Sequence, residues 1–262
     1  MTASSSRGAT LKTRFWLAVA LAAASMTVFA LPVQASHTTS CVSYSGPNFA
    51  SYAEKVPSNP PTGVRATFEG QALDVCSGTQ PRANLVWVAV VGPAGDGNAI
   101  VQGGRAKCWD QSSNDCDGIQ IRFWAWGRTQ GASGCSSGVN TVPPRVQYIS
   151  TWTSGSDSFI VARDGIDWEV FVGGVLEASV PQASVCWTKQ AALWAGESFN
   201  PGDAIGGSAA NNYALTSAFY QTAVAGSWLS PAFAAGSNCV VQSAKYRCVT
   251  PGATSAIFWT VQ

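Results

Sequence analysis

Residues 158–179 read as three β-rich runs joined by two tight turns. The run 158–163 leads into Asp164-Gly165, then 166–172, then Gly173-Gly174, then 175–179. Asp-Gly and Gly-Gly between such runs are hairpin signals, because primed turns need positive φ. A three-stranded antiparallel meander is therefore expected. Its hydrophobic face must be buried against something else, and the rest of the chain supplies mostly more strands.

Residues 85–91 form a continuous apolar run short enough for a buried strand. Residues 92–97 are a turn cluster, and 99–103 resume the strand pattern. Residues 119–127 alternate: Ile119, Ile121, Phe123 and Ala125 face one way, and Gln120, Arg122, Trp124 and Trp126 the other. Residues 190–196, 213–222, 244–249 and 256–261 are further strand candidates. Beyond the N-terminus no segment carries a helical period, although Ala191-Ala192 and 204–214 are rich enough in alanine for a short helix. About a dozen strands in one domain fit a β-sandwich or jelly roll. Only 11% of residues are charged, which excludes coiled coils, helical bundles and charged disordered tails.

Residues 1–35 read as a signal peptide. Arg7, Lys12 and Arg14 precede an apolar run over 15–31, and Val33 and Ala35 satisfy the small-residue rule for cleavage. The run is short for a membrane span. Residues 36–262 are then an exported domain, with no membrane association after cleavage. The chain has 15 basic and 14 acidic residues; losing those three bases leaves 12 against 14. A nearly neutral surface gives no basis for binding nucleic acid.

All eight cysteines (Cys41, Cys76, Cys108, Cys116, Cys135, Cys186, Cys239, Cys248) lie in the exported part, where they suggest up to four disulfides. Local closure predicts Cys108–Cys116 and Cys239–Cys248, leaving Cys41–Cys76 and Cys135–Cys186 as the simplest remainder. No CxxC occurs, and the lone histidine is His37, so no structural metal or cofactor is expected.

Three motifs point to chemistry that their context does not support. Gly134-Cys135-Ser136-Ser137-Gly138 has the pattern of a nucleophile elbow, but lies in a loop without a following helix or a histidine base. Residues 92–97 resemble a phosphate loop but precede a strand. Asp110, Asp115 and Asp117 crowd one loop without the spacing of a calcium site. Acid–base chemistry would then fall to Asp or Glu. Asp167 and Glu169 share a strand face, as a solvated face also would. Glu197 follows the strand 190–196 among aromatic and glycine residues, a setting that a capped strand end shares.

Ten of the eleven tryptophans lie beyond residue 35. Trp124 and Trp126 share a side with Gln120 and Arg122, which together offer a flat stacking surface and planar hydrogen-bonding groups for a glycan or a polypeptide. The same side would suit a second packed sheet, since both faces of a central strand can be buried.

Two stretches carry a family resemblance. The first runs from Val86-Trp87-Val88 through Ala99-Ile100-Val101-Gln102-Gly103 to Arg122-Phe123-Trp124-Ala125-Trp126. The second is Ala192-Leu193-Trp194-Ala195-Gly196-Glu197-Ser198-Phe199. Their order resembles that of the eqolisin-type glutamic peptidases: a tryptophan strand, an Ala-Ile-Leu-Gln-like strand, an aromatic-acid-aromatic strand, and a later strand ending in an acid and phenylalanine. The resemblance covers about half of the exported part. It implies a concanavalin-like β-sandwich, and it puts Gln102 on the catalytic glutamine. It puts the catalytic glutamate on Leu193 and the acid of the aromatic strand on Ala125, both apolar here. Glu197, four residues after Leu193, would lie about 13 Å along the strand. A water-mediated pair with Gln102 would need a bulge or bend.

The expectation is a single, disulfide-stabilised, all-β domain that binds an extracellular glycan or extended polymer on Gln120, Arg122, Trp124 and Trp126. The alternative is a carboxylate-dependent hydrolase in which Gln102 polarises the substrate and Glu197 acts as base. A surface or matrix protein without a small ligand is a third reading.

Overall fold

The computed structural model describes residues 51–69, 73, 82–92, 100–109, 119–127, 147–185, 191–198, 212–234, 239–241 and 246–260. The chain separates into Met1–Gln34 and Ala35–Gln262, and all described residues belong to the second unit. They form two seven-stranded antiparallel sheets.

The first sheet contains β1 (Ser51–Lys55), β3 (Arg82–Val91), β4 (Ile100–Trp109), β5 (Gln120–Gly127), β6 (Gln147–Thr151), β10 (Ala191–Ser198) and β12 (Cys239–Val241), in the order β12-β1-β10-β3-β4-β5-β6. The second contains β2 (Gly63–Phe68), β7 (Asp157–Asp164), β8 (Asp167–Val172), β9 (Val175–Pro181), β11 (Tyr213–Gln221), β13 (Tyr246–Gly252) and β14 (Ser255–Thr260). Its order is β13-β14-β11-β2-β7-β8-β9. A one-turn helix, α1 (Gln182–Val185), follows β9.

The expected meander is β7-β8-β9. Asp164 pairs with Asp167, so the first turn is centred on Gly165 and Ile166, with positive φ at Gly165. Val172 pairs with Val175, and Gly173 and Gly174 both take positive φ, as a type I′ turn requires. Ala191-Ala192 opens β10 rather than a helix.

The core between the sheets joins Val86, Val88, Val101, Ala192 and Trp194 to Val64, Phe68, Phe159, Trp168, Val170 and Phe258. Phe68 stacks on Phe159 with centroids 4.6 Å apart. Gly103 lets the sheets approach, since a Cβ there would meet Val170 Cγ1 at 2.8 Å. At one end of the sandwich the Cys239–Cys248 disulfide joins β12 of the first sheet to β13 of the second. The other three expected pairings involve residues outside the described side chains.

Candidate functional site

Directly opposed residues in a ladder share a face. Gln102 on β4 lies opposite Ala89 on β3 and Ala125 on β5. Ala89 lies opposite Leu193 on β10, and Leu193 opposite Glu54 on β1. The row Glu54–Leu193–Ala89–Gln102–Ala125 therefore crosses the side of the first sheet that faces away from the second. Its apolar neighbours, Trp87, Ile100, Ile121 and Phe123, form a cluster of their own, separate from the inter-sheet core. Gln102 is 6% exposed and Leu193 8%. The Gln102 Oε1 atom is buried and has no hydrogen-bond partner among the described residues. An amide oxygen in this condition costs about 1–3 kcal/mol.

Glu197 shares this side. Its carboxylate accepts a 2.9 Å hydrogen bond from Trp87 Nε1. Gly104 makes room for Trp87, because a Cβ there would meet the Trp87 Cα at 2.7 Å. The residue as a whole keeps some surface, but its carboxyl lies inward. That burial raises its pKa, against an opposing pull from the Trp87 hydrogen bond. Burial also raises Glu54. The pairing of β10 with β3 runs without a shift from Ala191 to Ser198, and that of β3 with β4 is equally regular. No bulge shortens the path from Glu197 to Gln102. Their backbones stay about 13 Å apart along the strands and about 10 Å apart across them.

The expected platform takes a different position. Gln120, Arg122, Trp124 and Trp126 do share one side of β5, but it is the side turned toward the second sheet. Trp124 and Trp126 pack, half-buried, against the inter-sheet core. Gln120 Oε1 accepts from the Leu73 backbone N–H at 3.0 Å. Arg122 donates to both Asp157 oxygens, at 3.0 and 2.9 Å. The buried Arg105 also donates to Asp157 (2.8 Å), to Tyr213 Oη (2.8 Å) and to the Gly155 carbonyl (2.9 Å). It lies over the Trp152 ring at 4.2 Å. These groups join the sheets, and Arg122 has no fork left for a ligand. The physical reason is that alternation says which residues share a side, not which side meets the second sheet.

The aromatic side that does reach solvent belongs to the second sheet. Phe219, Arg65, Ile160, Phe171 and Leu176 lie opposite one another in turn across β11, β2, β7, β8 and β9. All are at least partly exposed. The Arg65 guanidinium lies 4.8 Å from the Phe219 ring centroid and 4.6 Å from that of Trp228. Sequence reasoning missed this cluster, because its members come from segments more than 150 residues apart. The only local signal was Arg65 and Thr67 alternating with apolar residues. Near the β7-β8 turn on the same side, partial burial and then the Asp164 and Asp167 charges raise the pKa of Glu169.

No group of three metal-ligating side chains occurs among the described residues. The aspartates 110, 115 and 117, the segment 134–138 and residues 93–97 lie outside them.

No protein family matches the chain, and no curated protein does. Solved structures do. A crystal structure of scytalido-glutamic peptidase with a peptide-based transition-state analogue covers 81% of this chain and 98% of its own, at 15% identity and a TM-score of 0.51. A second structure of that enzyme, with a transition-state analogue inhibitor, matches at the same identity and coverage with a TM-score of 0.52. SCP-B, a member of the eqolisin family of peptidases in complex with the tripeptide Ala-Ile-His, matches at 14% identity and 0.50, with 81% and 98% covered. The chain has the eqolisin β-sandwich fold. At this identity the likeness establishes the architecture, and the chemistry has to be argued from this chain's own side chains.

Proposed function

We propose that this chain is an exported β-sandwich that binds an extended extracellular polymer, glycan or polypeptide, without cleaving it. The observation that carries this reading is the row Glu54–Leu193–Ala89–Gln102–Ala125, whose one carboxyl, Glu54, lies three strands, about 14 Å, from Gln102. Hydrolysis needs a group that takes a proton from water. A glutamine amide donates and accepts hydrogen bonds but is no base at ordinary pH, and leucine and alanine at the two acid positions offer nothing. Binding needs only a surface, and the exposed aromatic side of the second sheet provides one. Export is supported by the basic and apolar N-terminus and by the disulfide. Co-sedimentation with insoluble polysaccharides and with unfolded polypeptide tests the proposal. Retention with the polymer recovered at full length is expected; no retention on any, or shortened chains, overturns it.

A second reading rests on Glu197, whose raised carboxyl is held by Trp87 on the same side as Gln102. It makes the chain a hydrolase with Glu197 as base. The unbroken strand register between the two residues counts against it.

A further inference from the structure

We propose that the outer side of the second sheet is a carbohydrate site that selects a carboxylate-bearing sugar, a uronate, with Arg65 as its anion-binding group. This deepens the binding reading above and rests on it.

The outward side of an antiparallel sheet is ordinarily polar. Here it carries the row Phe219–Arg65–Ile160–Phe171–Leu176, which spans five strands and so about 19 Å. Trp228 extends it at the Arg65 end: its ring edge would lie 3.3 Å from a Cβ at Gly63. One flank carries hydroxyls, with Thr67 of β2 opposite Ser158 of β7. The other flank is walled, since Gly63, opposite Ala162, is covered by Trp228 and by Gln221, whose Oε1 a Cβ there would meet at 2.9 Å. Aromatic and aliphatic patches between hydroxyls and an indole wall suit a pyranose ring, which has apolar C–H faces and a polar rim. An extended peptide suits this side less well. The backbone N–H and C=O groups beneath it are used in the ladders, so a peptide backbone laid across it finds no partners.

Arg65 sets the charge of the ligand. Phe219 and Trp228 hold its guanidinium by ring contacts, and among the described residues it has no hydrogen-bonded or ionic partner. Partial burial lowers its pKa, in keeping with a guanidinium partly stripped of water. A planar fork of N–H donors, held by two rings and unpaired among the described residues, matches a carboxylate. Asp164 lies on the neighbouring β7 but four residues, about 13 Å, beyond Ile160, and Asp167 and Glu169 lie two strands away on β8. All are beyond the roughly 8 Å screening length of physiological salt. Glu69, about 13 Å along β2 from Arg65, accepts from Thr216 and Ser156. They leave the Arg65 end as the place for an anionic group.

Calorimetric titration with oligogalacturonate, and with the same oligomer methyl-esterified, tests the inference. The acid form is expected to bind and the ester to bind roughly tenfold or more weakly, because the charge-assisted fork is lost. Arg65→Met is expected to remove that difference with the melting temperature kept. If Arg65→Met melts early, Arg65→Lys, which keeps charge and stem but not the fork, is read instead and is expected to lose discrimination as well. Phe171→Ala is expected to weaken both oligomers alike. Equal binding of acid and ester, no binding by the native protein, or discrimination surviving both Arg65 changes would overturn the proposal. So would a dimer that buries this side, seen by light scattering and abolished in Phe171→Asp. Retention on a neutral polymer or a polypeptide with Arg65 irrelevant would sink this inference and leave the binding reading standing. Cleavage of a polymer would sink the reading itself.

Discussion

Asp157 is the residue on which the two sheets converge. It takes hydrogen bonds from Arg105, whose side chain is fully buried, and from Arg122. Removing one member of a buried ionic group leaves its partners charged and unpaired, at about 3–5 kcal/mol. Asp157→Ala is therefore expected to lower unfolding stability by about that amount in denaturant melts; a midpoint near the parent's would show that the network is dispensable. Glu197 predicts a pH effect of a particular sign. Its folded-state pKa lies above the ordinary 4.5, so the folded state holds the proton more tightly than the unfolded. Its contribution is full below pH 4.5 and is lost as pH rises through the raised value. Glu197→Gln keeps an acceptor for Trp87 and removes the ionisation. The variant is expected to melt above the parent at neutral pH, with the gap closing in acid; a gap that does not depend on pH contradicts this. At this scale the sequence was legible where neighbours decide the outcome and opaque where partners are distant. Gln102 and Leu193 could be placed as a pair of positions on paper. Arg122 could not be read as an inter-sheet donor, because both sides of β5 are rich in large apolar residues.

The strands that could be read are those with strong local signals. The β7-β8-β9 meander shows its turns through Gly165, Gly173 and Gly174. Strands β3, β5 and β10 show continuous or alternating apolar runs. Four strands carried no such signal. The stretch forming β1 contains Glu54 and Lys55, β2 begins with glycine and holds Arg65, β6 is a polar edge, and β12 is three residues long. Pairing with neighbours makes these segments strands, more than their own composition. The disulfide at the β12–β13 end acts at this scale. It closes a nine-residue separation between edges of different sheets, worth about 2–3 kcal/mol by loop entropy. Cys239→Ser with Cys248→Ser is expected to lower stability by about that much, as read by thermal melts in non-reducing buffer. An unchanged melt would mean that the strand contacts alone hold this end.

The whole molecule has a β-sandwich fold like that of the eqolisin structures, with Leu193, Ala89 and Ala125 in one row with Gln102. The β-sandwich was legible in the turns and alternation, whereas the positions of Gln102, Leu193 and Ala125 came from the family resemblance alone. The Arg65–Phe219–Trp228 cluster was not legible, because only folding brings those segments together. Peptide cleavage at acidic pH separates a binder from a hydrolase. Purified protein incubated with a diverse peptide mixture and followed by mass spectrometry is predicted to leave every peptide intact, since neither Leu193 nor Ala125 can accept a proton from water. A defined cleavage product that appears with the native protein and disappears in Glu197→Gln would contradict the account.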